Sequence, residues 1–171
     1  SIDIELKDFD AAQKSIDDLK KITGPAAATM HLQATLHARQ GKFEAARDAI
    51  QQALRVAPEY LPSLALGAQV YLALNSLDQA ESHAKRVLDA APGSTLGYRL
   101  LGAVHVRRNS PEKALALVEP VLQRGAKDPA IWALAGEAAL RSNEPRKAEK
   151  YFEQATKLDP KNPLSKTGLA I

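Results

Sequence analysis

The side chains with the widest chemical reach are four histidines, His31, His37, His83 and His105. An imidazole can move protons near neutral pH or ligate zinc. On a helix, a zinc site needs two histidines four residues apart and a further ligand, and no two of these stand at that spacing. The chain has no cysteine, which removes thiolate nucleophiles, thiolate metal sites and disulfides. It also contains no glycine-rich phosphate loop and no G-x-S-x-G elbow. Adjacent acids such as Asp17 and Asp18 splay to different faces of a helix, so they read as solvated surface rather than as an acid–base pair. The residues therefore predict no catalytic centre, no metal ligand and no cofactor site, and a protein that is not an enzyme.

The scaffold behind these residues is helical. Of 171 residues 45% are hydrophobic and 25% charged, enough to bury a core. Aromatics are only 5% while Ala and Leu dominate, which favours helices that approach closely. The formal net charge is +3, with cations and anions interleaved, so no run tracks a phosphate backbone and nucleic acid is not an expected partner. No stretch approaches the ~20 apolar residues of a membrane span, and no secretory signal is visible. The lack of cysteine fits cytosol and periplasm alike.

Self-similarity organises the chain. Ala12, Ala46, Ala80, Ala114 and Ala148 form a column at an offset of 34 residues. Ile16, Ile50, Ala84, Val118 and Phe152 form a second, and Leu19, Ala53, Val87, Val121 and Ala155 a third. Ala34, Ala68, Gly102, Gly136 and Ala170 form a fourth column, of small residues, and Pro58, Pro92 and Pro160 a fifth, interrupted by Gly24 and Ala126. The best single copy runs Trp132, Ala135, Gly136, Ala139, Ala148, Phe152, Ala155, Pro160. This pattern resembles the tetratricopeptide repeat, W-x2-L-G-x2-Y, then A-x3-F, then P. The resemblance implies an all-α, right-handed α-solenoid (superhelix) of 34-residue helix-turn-helix units, each a helix A and a helix B.

The small columns sit where backbones cross, and the prolines where helix B must stop. The A-to-B turns carry Gly41, Asn75, Asn109 and Asn143, residues that tolerate a left-handed backbone. Pro111 and Pro145 are expected in the first turn of helix B, where a missing N–H costs nothing. The spacing predicts helices at about 10–22, 27–40, 43–56, 61–74, 77–90, 95–108, 111–124, 129–141 and 145–158. The repeats are read as 1–26 (partial, mostly helix B, with 1–7 a stub), 27–60, 61–94, 95–128, 129–162 and 163–171 (truncated). A single array starting and ending inside repeats suggests a fragment of a longer protein whose apolar ends, including Leu164, Leu169 and Ile171, self-associate end to end. Pro120 falls inside a B helix, either as a tolerated bend or as a shaped binding feature.

Tyr71, Tyr98 and Trp132 are expected in the core, and His37 and His105 as partly buried structural groups at the A–B contact. Arg39, Arg107 and Arg141 recur late in helix A, where a cation complements the helix dipole. The A helices are expected to line a concave groove through repeat positions 2, 5, 9 and 12. Its partner-binding residues are read as His31, Thr35, Gln69, Leu72, Arg99, Ala103, Val106, Glu137 and Leu140. Small, apolar and sparsely charged, this stripe suits a protein or peptide partner, though superhelical self-packing explains the same composition.

Family knowledge narrows the class. A chaperone-type carboxylate clamp needs Lys and Asn on one groove helix and Lys with Arg on another; His31, Thr35, Gln69 and a lone Arg99 do not supply it. An asparagine ladder of the sugar-transferase type is missing too, since Asn75, Asn109 and Asn143 lie in turns. Three stretches carry a closer resemblance: 6–13 (LKDFDAAQ), 72–81 (LALNSLDQAE), and 148–155 (AEKYFEQA) with 158–163 (LDPKNP). They are similar to the tetratricopeptide lipoproteins of the PEP-CTERM/exosortase system. That resemblance implies a bacterial envelope scaffold, periplasmic or outer-membrane-associated, linked to exopolysaccharide production and protein sorting. The alternative is a cytoplasmic assembly or co-chaperone-like adaptor without a clamp.

Overall fold

A computed structural model describes the backbone of residues 2–161 and the side chains of residues 9–161. The described residues form nine α-helices and no strand: α1 (Ile2–Thr23), α2 (Ala27–Arg39), α3 (Phe43–Val56), α4 (Leu61–Ala73), α5 (Leu77–Ala90), α6 (Thr95–Arg107), α7 (Pro111–Gln123), α8 (Pro129–Arg141) and α9 (Pro145–Leu158). The truncated repeat expected over 163–171 lies outside the described residues. The chain divides into two compact units, Ser1–Gln79 and Ala80–Ile171.

The turns between helices A and B set the period. Gly41 (φ 72°), Asn75 (φ 56°), Asn109 (φ 54°) and Asn143 (φ 59°) are all left-handed. Each is followed by a backbone N–H that reaches back over five residues: Lys42 to the His37 carbonyl (2.9 Å), Ser76 to Tyr71 (2.8 Å), Ser110 to His105 (2.9 Å) and Glu144 to Ala139 (2.8 Å). A second bond runs from each left-handed residue to the carbonyl three before it, which completes a Schellman cap. Orphan carbonyls at four helix ends are thereby satisfied within the turn. Pro111 and Pro145 open α7 and α9, as the missing N–H allows.

The first helix departs from the expectation. Instead of a stub and a helix from about 10, α1 is continuous from Ile2 to Thr23. The repeat places Lys7 where later copies have Gly or Asn, and lysine is a good helix former with no ease in the left-handed region. The chain therefore has no reason to turn there. Pro120 likewise leaves α7 assigned as one helix; it sits on the exposed side, and its carbonyl accepts a bond from Arg124 Nε (3.1 Å).

Packing within each unit follows the small columns. In the first, Ala34, Ala46, Ile50 and Val70 are sealed, with Phe43 and Leu66 packed against them. In the second, Val118, Ile131, Ala135, Ala138, Ala139 and Phe152 share one core, with Tyr98, Trp132 and Tyr151 at its margin. Tyr71 is buried as expected, and its hydroxyl accepts from Gln51 Nε2 (3.2 Å). Tyr98 and Trp132 are only partly buried, and Trp132 Nε1 donates to the Ala126 carbonyl (2.7 Å). The closest approach is at Gly136, where a Cβ would stand 2.7 Å from the Phe152 ring.

Two expectations follow for urea unfolding. Asn109→Ala should lower stability by about 1–2 kcal/mol through its left-handed φ, while Asn109→Gly should leave it nearly unchanged. Ala114→Leu and Gly136→Ala should each cost about 1–3 kcal/mol by overpacking; midpoints unchanged in both would mean the helices do not cross where the columns place them.

Candidate functional site

Helix A differs from helix B in kind. B helices carry charge on one face and bury Ala with larger apolar residues on the other, whereas α4 has no charged residue and buries seven of its thirteen. It is covered on more than one side, since both α2 and α3 pack against it. The same holds in the second unit, where α8 meets α6, α7 and α9. Within each unit a seam remains open between two neighbouring A helices, and a cavity lies in it.

In the first unit the cavity has a volume of about 310 Å³ and is lined by Thr35, Ala38, Arg39, Phe43, Leu66, Gln69 and Val70. In the second it has about 280 Å³ and is lined by Arg99, Ala103, Ala130, Ala133, Leu134, Glu137 and Phe152. The two are built alike. Thr35 and Gln69 in one, Ala103 and Glu137 in the other, occupy the same repeat position on consecutive A helices. Of the residues read from sequence, then, Thr35 and Gln69 come together, as do Arg99, Ala103 and Glu137.

The others fall elsewhere. His31 is half-buried, its ring edge-on to Tyr60 at 5.8 Å and its Nδ1 3.3 Å from Ser63 Oγ. Burial lowers its pKa, and the same cause leads for His37 and His105. Leu72 and Leu140 are partly buried beyond the cavity walls, Leu140 against the core. Val106 must be corrected: it is 2% exposed and belongs to the core of the second unit, not to an open stripe. It lies three residues before the Asn109 turn, whose N–H bonds the Val106 carbonyl (3.0 Å), so the returning chain covers it.

Sequence reading missed Arg39, Phe43, Leu66, Leu134 and Phe152 as cavity walls. A signal existed for two of them: Leu32, Leu66, Leu100 and Leu134 form an unbroken leucine column one position beyond the chosen stripe. The polar groups of the second cavity are already engaged. Arg99 Nε lies 3.5 Å from Asp128 Oδ2, an ion pair without hydrogen-bond alignment. Asp128 also caps α8 by accepting from the Ala130 N–H (2.9 Å). Glu137 pairs with Arg141 at 2.9 Å. In the first cavity, Thr35 donates to the His31 carbonyl (2.9 Å).

Away from the cavities, α7 and α9 are joined by a polar cluster. Glu119 accepts from Tyr151 Oη (2.9 Å) and pairs with Lys147. Burial and the bond to Glu119 push the Tyr151 pKa up to about 12. At Glu119 burial works against the charge, but the bonds from Lys147 and Tyr151 outweigh it and hold the carboxyl below its usual range. No group of three or more His, Asp or Glu able to hold a metal occurs among the described residues. No described helix is long and apolar enough to cross a membrane.

Paired helices, left-handed caps at a 34-residue period and seams between A helices define an α-helical repeat protein. The tetratricopeptide repeat family model matches residues 37–104 and 105–170, and the chain belongs to that family. Such repeat folds serve as scaffolds that present extended surfaces to partner proteins. Solved structures agree on the fold. A thermophilic tetratricopeptide protein of Thermus thermophilus, TTC0263, is similar with a TM-score of 0.81 and 20% identity, over 98% of this chain and 94% of that one. YrrB, described as a tetratricopeptide protein with an unusual peptide-binding site, gives a TM-score of 0.70 and 16% identity over 98% and 86%. MamA from Desulfovibrio magneticus RS-1 gives 0.75 and 15% over 94% and 90%. No curated protein matches the sequence.

The Glu119 cluster generates a pH prediction. A lowered folded-state pKa means that the carboxylate stabilises the fold above its ordinary value of 4.5, and that this contribution is lost as pH falls through the lowered value. Glu119→Gln should therefore cost about 1 kcal/mol near neutral pH, allowing for partial exposure. Urea midpoints should show the gap between wild type and variant closing as pH is taken to about 3.

Proposed function

We propose that this chain is a non-catalytic scaffold that holds a segment of a partner protein along the seams of its A helices. One observation carries the reading: both units place an apolar-floored cavity at the same pair of repeat positions, rimmed by a few polar groups. That is the composition of a recognition site, in which apolar area supplies affinity and sparse polar groups fix register. The peptide-binding site described for YrrB supports it by likeness of fold. A terminal-carboxylate clamp does not fit, because the charge of Arg99 is committed to Asp128.

The parent protein is proposed to be a bacterial envelope component, periplasmic or outer-membrane-associated, serving exopolysaccharide production and protein sorting. The wording of residues 6–13, 72–81, 148–155 and 158–163 supports this placement. Fractionation of the native host, with mass spectrometry of the mature N-terminus, tests it. A lipidated cysteine in the membrane fraction is the expected result, and an unprocessed cytosolic start would instead favour the adaptor reading.

Seam substitutions test the scaffold itself. Ala38→Glu and Ala133→Glu each put a carboxylate in a cavity wall at a partly buried position, whereas Val106 is unsuitable because a buried glutamate there would unfold the chain. In pull-downs from host extract the folded variants should retain less than about a tenth of the partner, equivalent to about 1.4 kcal/mol. Lys113→Glu and Glu149→Lys, exposed on the B helices, should retain it all. The opposite pattern would move the binding surface to the B helices.

A further inference from the structure

We propose that the cavity of the first unit reads an acidic side chain beside an apolar one in the bound segment, and so sets its sequence preference. This deepens the proposed scaffold function and rests on it. The floor is apolar, made by Phe43, Leu66 and Val70, and has room for a leucine- or phenylalanine-sized group. Arg39 and Gln69 stand at its rim.

These two rim groups are open where their counterparts in the second unit are closed. Arg141 occupies the repeat position of Arg39, and it is held by Glu137 four residues earlier. The residue four before Arg39 is Thr35, whose hydroxyl is turned to its own helix. Arg39 is exposed and forms no hydrogen bond or ion pair with any described residue, and Gln69 likewise has no partner among them. Arg39 is also the only formally charged residue on α2, and α4 carries none. A guanidinium on an apolar rim, with no competing carboxylate on either helix, attracts an anion. The dipole at the end of α2 accounts for a cation there but not for its place on a cavity rim.

The occupant is thus a segment with Leu, Ile, Met or Phe in the cavity and Asp or Glu within two positions of it. The carboxylate meets Arg39, and the Gln69 amide bonds the segment's backbone. A side-chain carboxylate, not a chain terminus, is the group recognised, so blocked peptides suffice.

Display selection on random peptides of about 12 residues, long enough for a short extended segment, is the test. Wild type, Arg39→Gln, Arg39→Glu and Ala38→Glu, the last in the wall of the same cavity, are compared after circular dichroism confirms folding. Wild type should enrich the acidic–apolar pair, and Arg39→Glu should replace the acid with Lys or Arg. A labelled peptide from the wild-type pool should bind Arg39→Gln about tenfold more weakly, and its affinity should lose most of its salt dependence. The same consensus from wild type and Arg39→Glu, or a consensus without an acid, overturns the proposal. If that consensus is also lost on Ala38→Glu, the first cavity still binds peptide and only the acidic reading fails. If wild type selects no peptide, the scaffold reading falls with it.

Discussion

The structure depends on how closely helix A can lie against helix B. At Gly136 the room left is less than a methyl group needs, with the Phe152 ring 2.7 Å from where a Cβ would stand. Ala34, Ala46, Ala114 and Ala148 are essentially inaccessible. Such packing forgoes large aromatic cores and gains dense contact between small side chains instead. It also explains why the composition is poor in aromatics without being poor in buried surface.

That closeness shapes the surface as well. An A helix pressed between its own B helix and a neighbouring A helix cannot carry many charges, because most of its positions lose their water. The A-helix groups that remain open to solvent are therefore the few that face a seam. The two cavities show how one architecture can be set differently. In the second unit Arg99, Asp128, Glu137 and Arg141 neutralise one another, whereas in the first Arg39 and Gln69 are left to whatever arrives. On the proposed reading, affinity in the first depends on charge and in the second on shape.

The helices were legible in the sequence because the period and the turn chemistry agree: each Asn or Gly expected to turn left-handed does so. The extent of α1 was not, since 1–7 was expected as a stub before a helix from about 10, whereas Lys7 favours helix over the left-handed turn that Gly or Asn makes in later copies. Val106 failed for a related reason. A helical stripe assigns faces relative to one axis, while the Asn109 turn brings a second helix over the last residues of the first. The Arg99–Asp128 pair was beyond reach, its members far apart in the chain with nothing periodic to announce them. Phe43 and Phe152 were visible as aromatic residues, but their place on a cavity wall depends on the space between two A helices, which one repeat does not describe.

The capped turns have a consequence for how the protein ages. Asn75 and Asn109 each precede a serine, a pairing prone to spontaneous deamidation, in which the following backbone nitrogen attacks the side-chain amide carbon and expels ammonia. Here those nitrogens are occupied, Ser76 N bonding the Tyr71 carbonyl at 2.8 Å and Ser110 N the His105 carbonyl at 2.9 Å. Ring closure requires the cap to open first, so the reaction is gated by local unfolding of the turn. The geometry that spaces the repeats therefore also protects their most fragile residues, and chemical damage there reports how often each hairpin breathes.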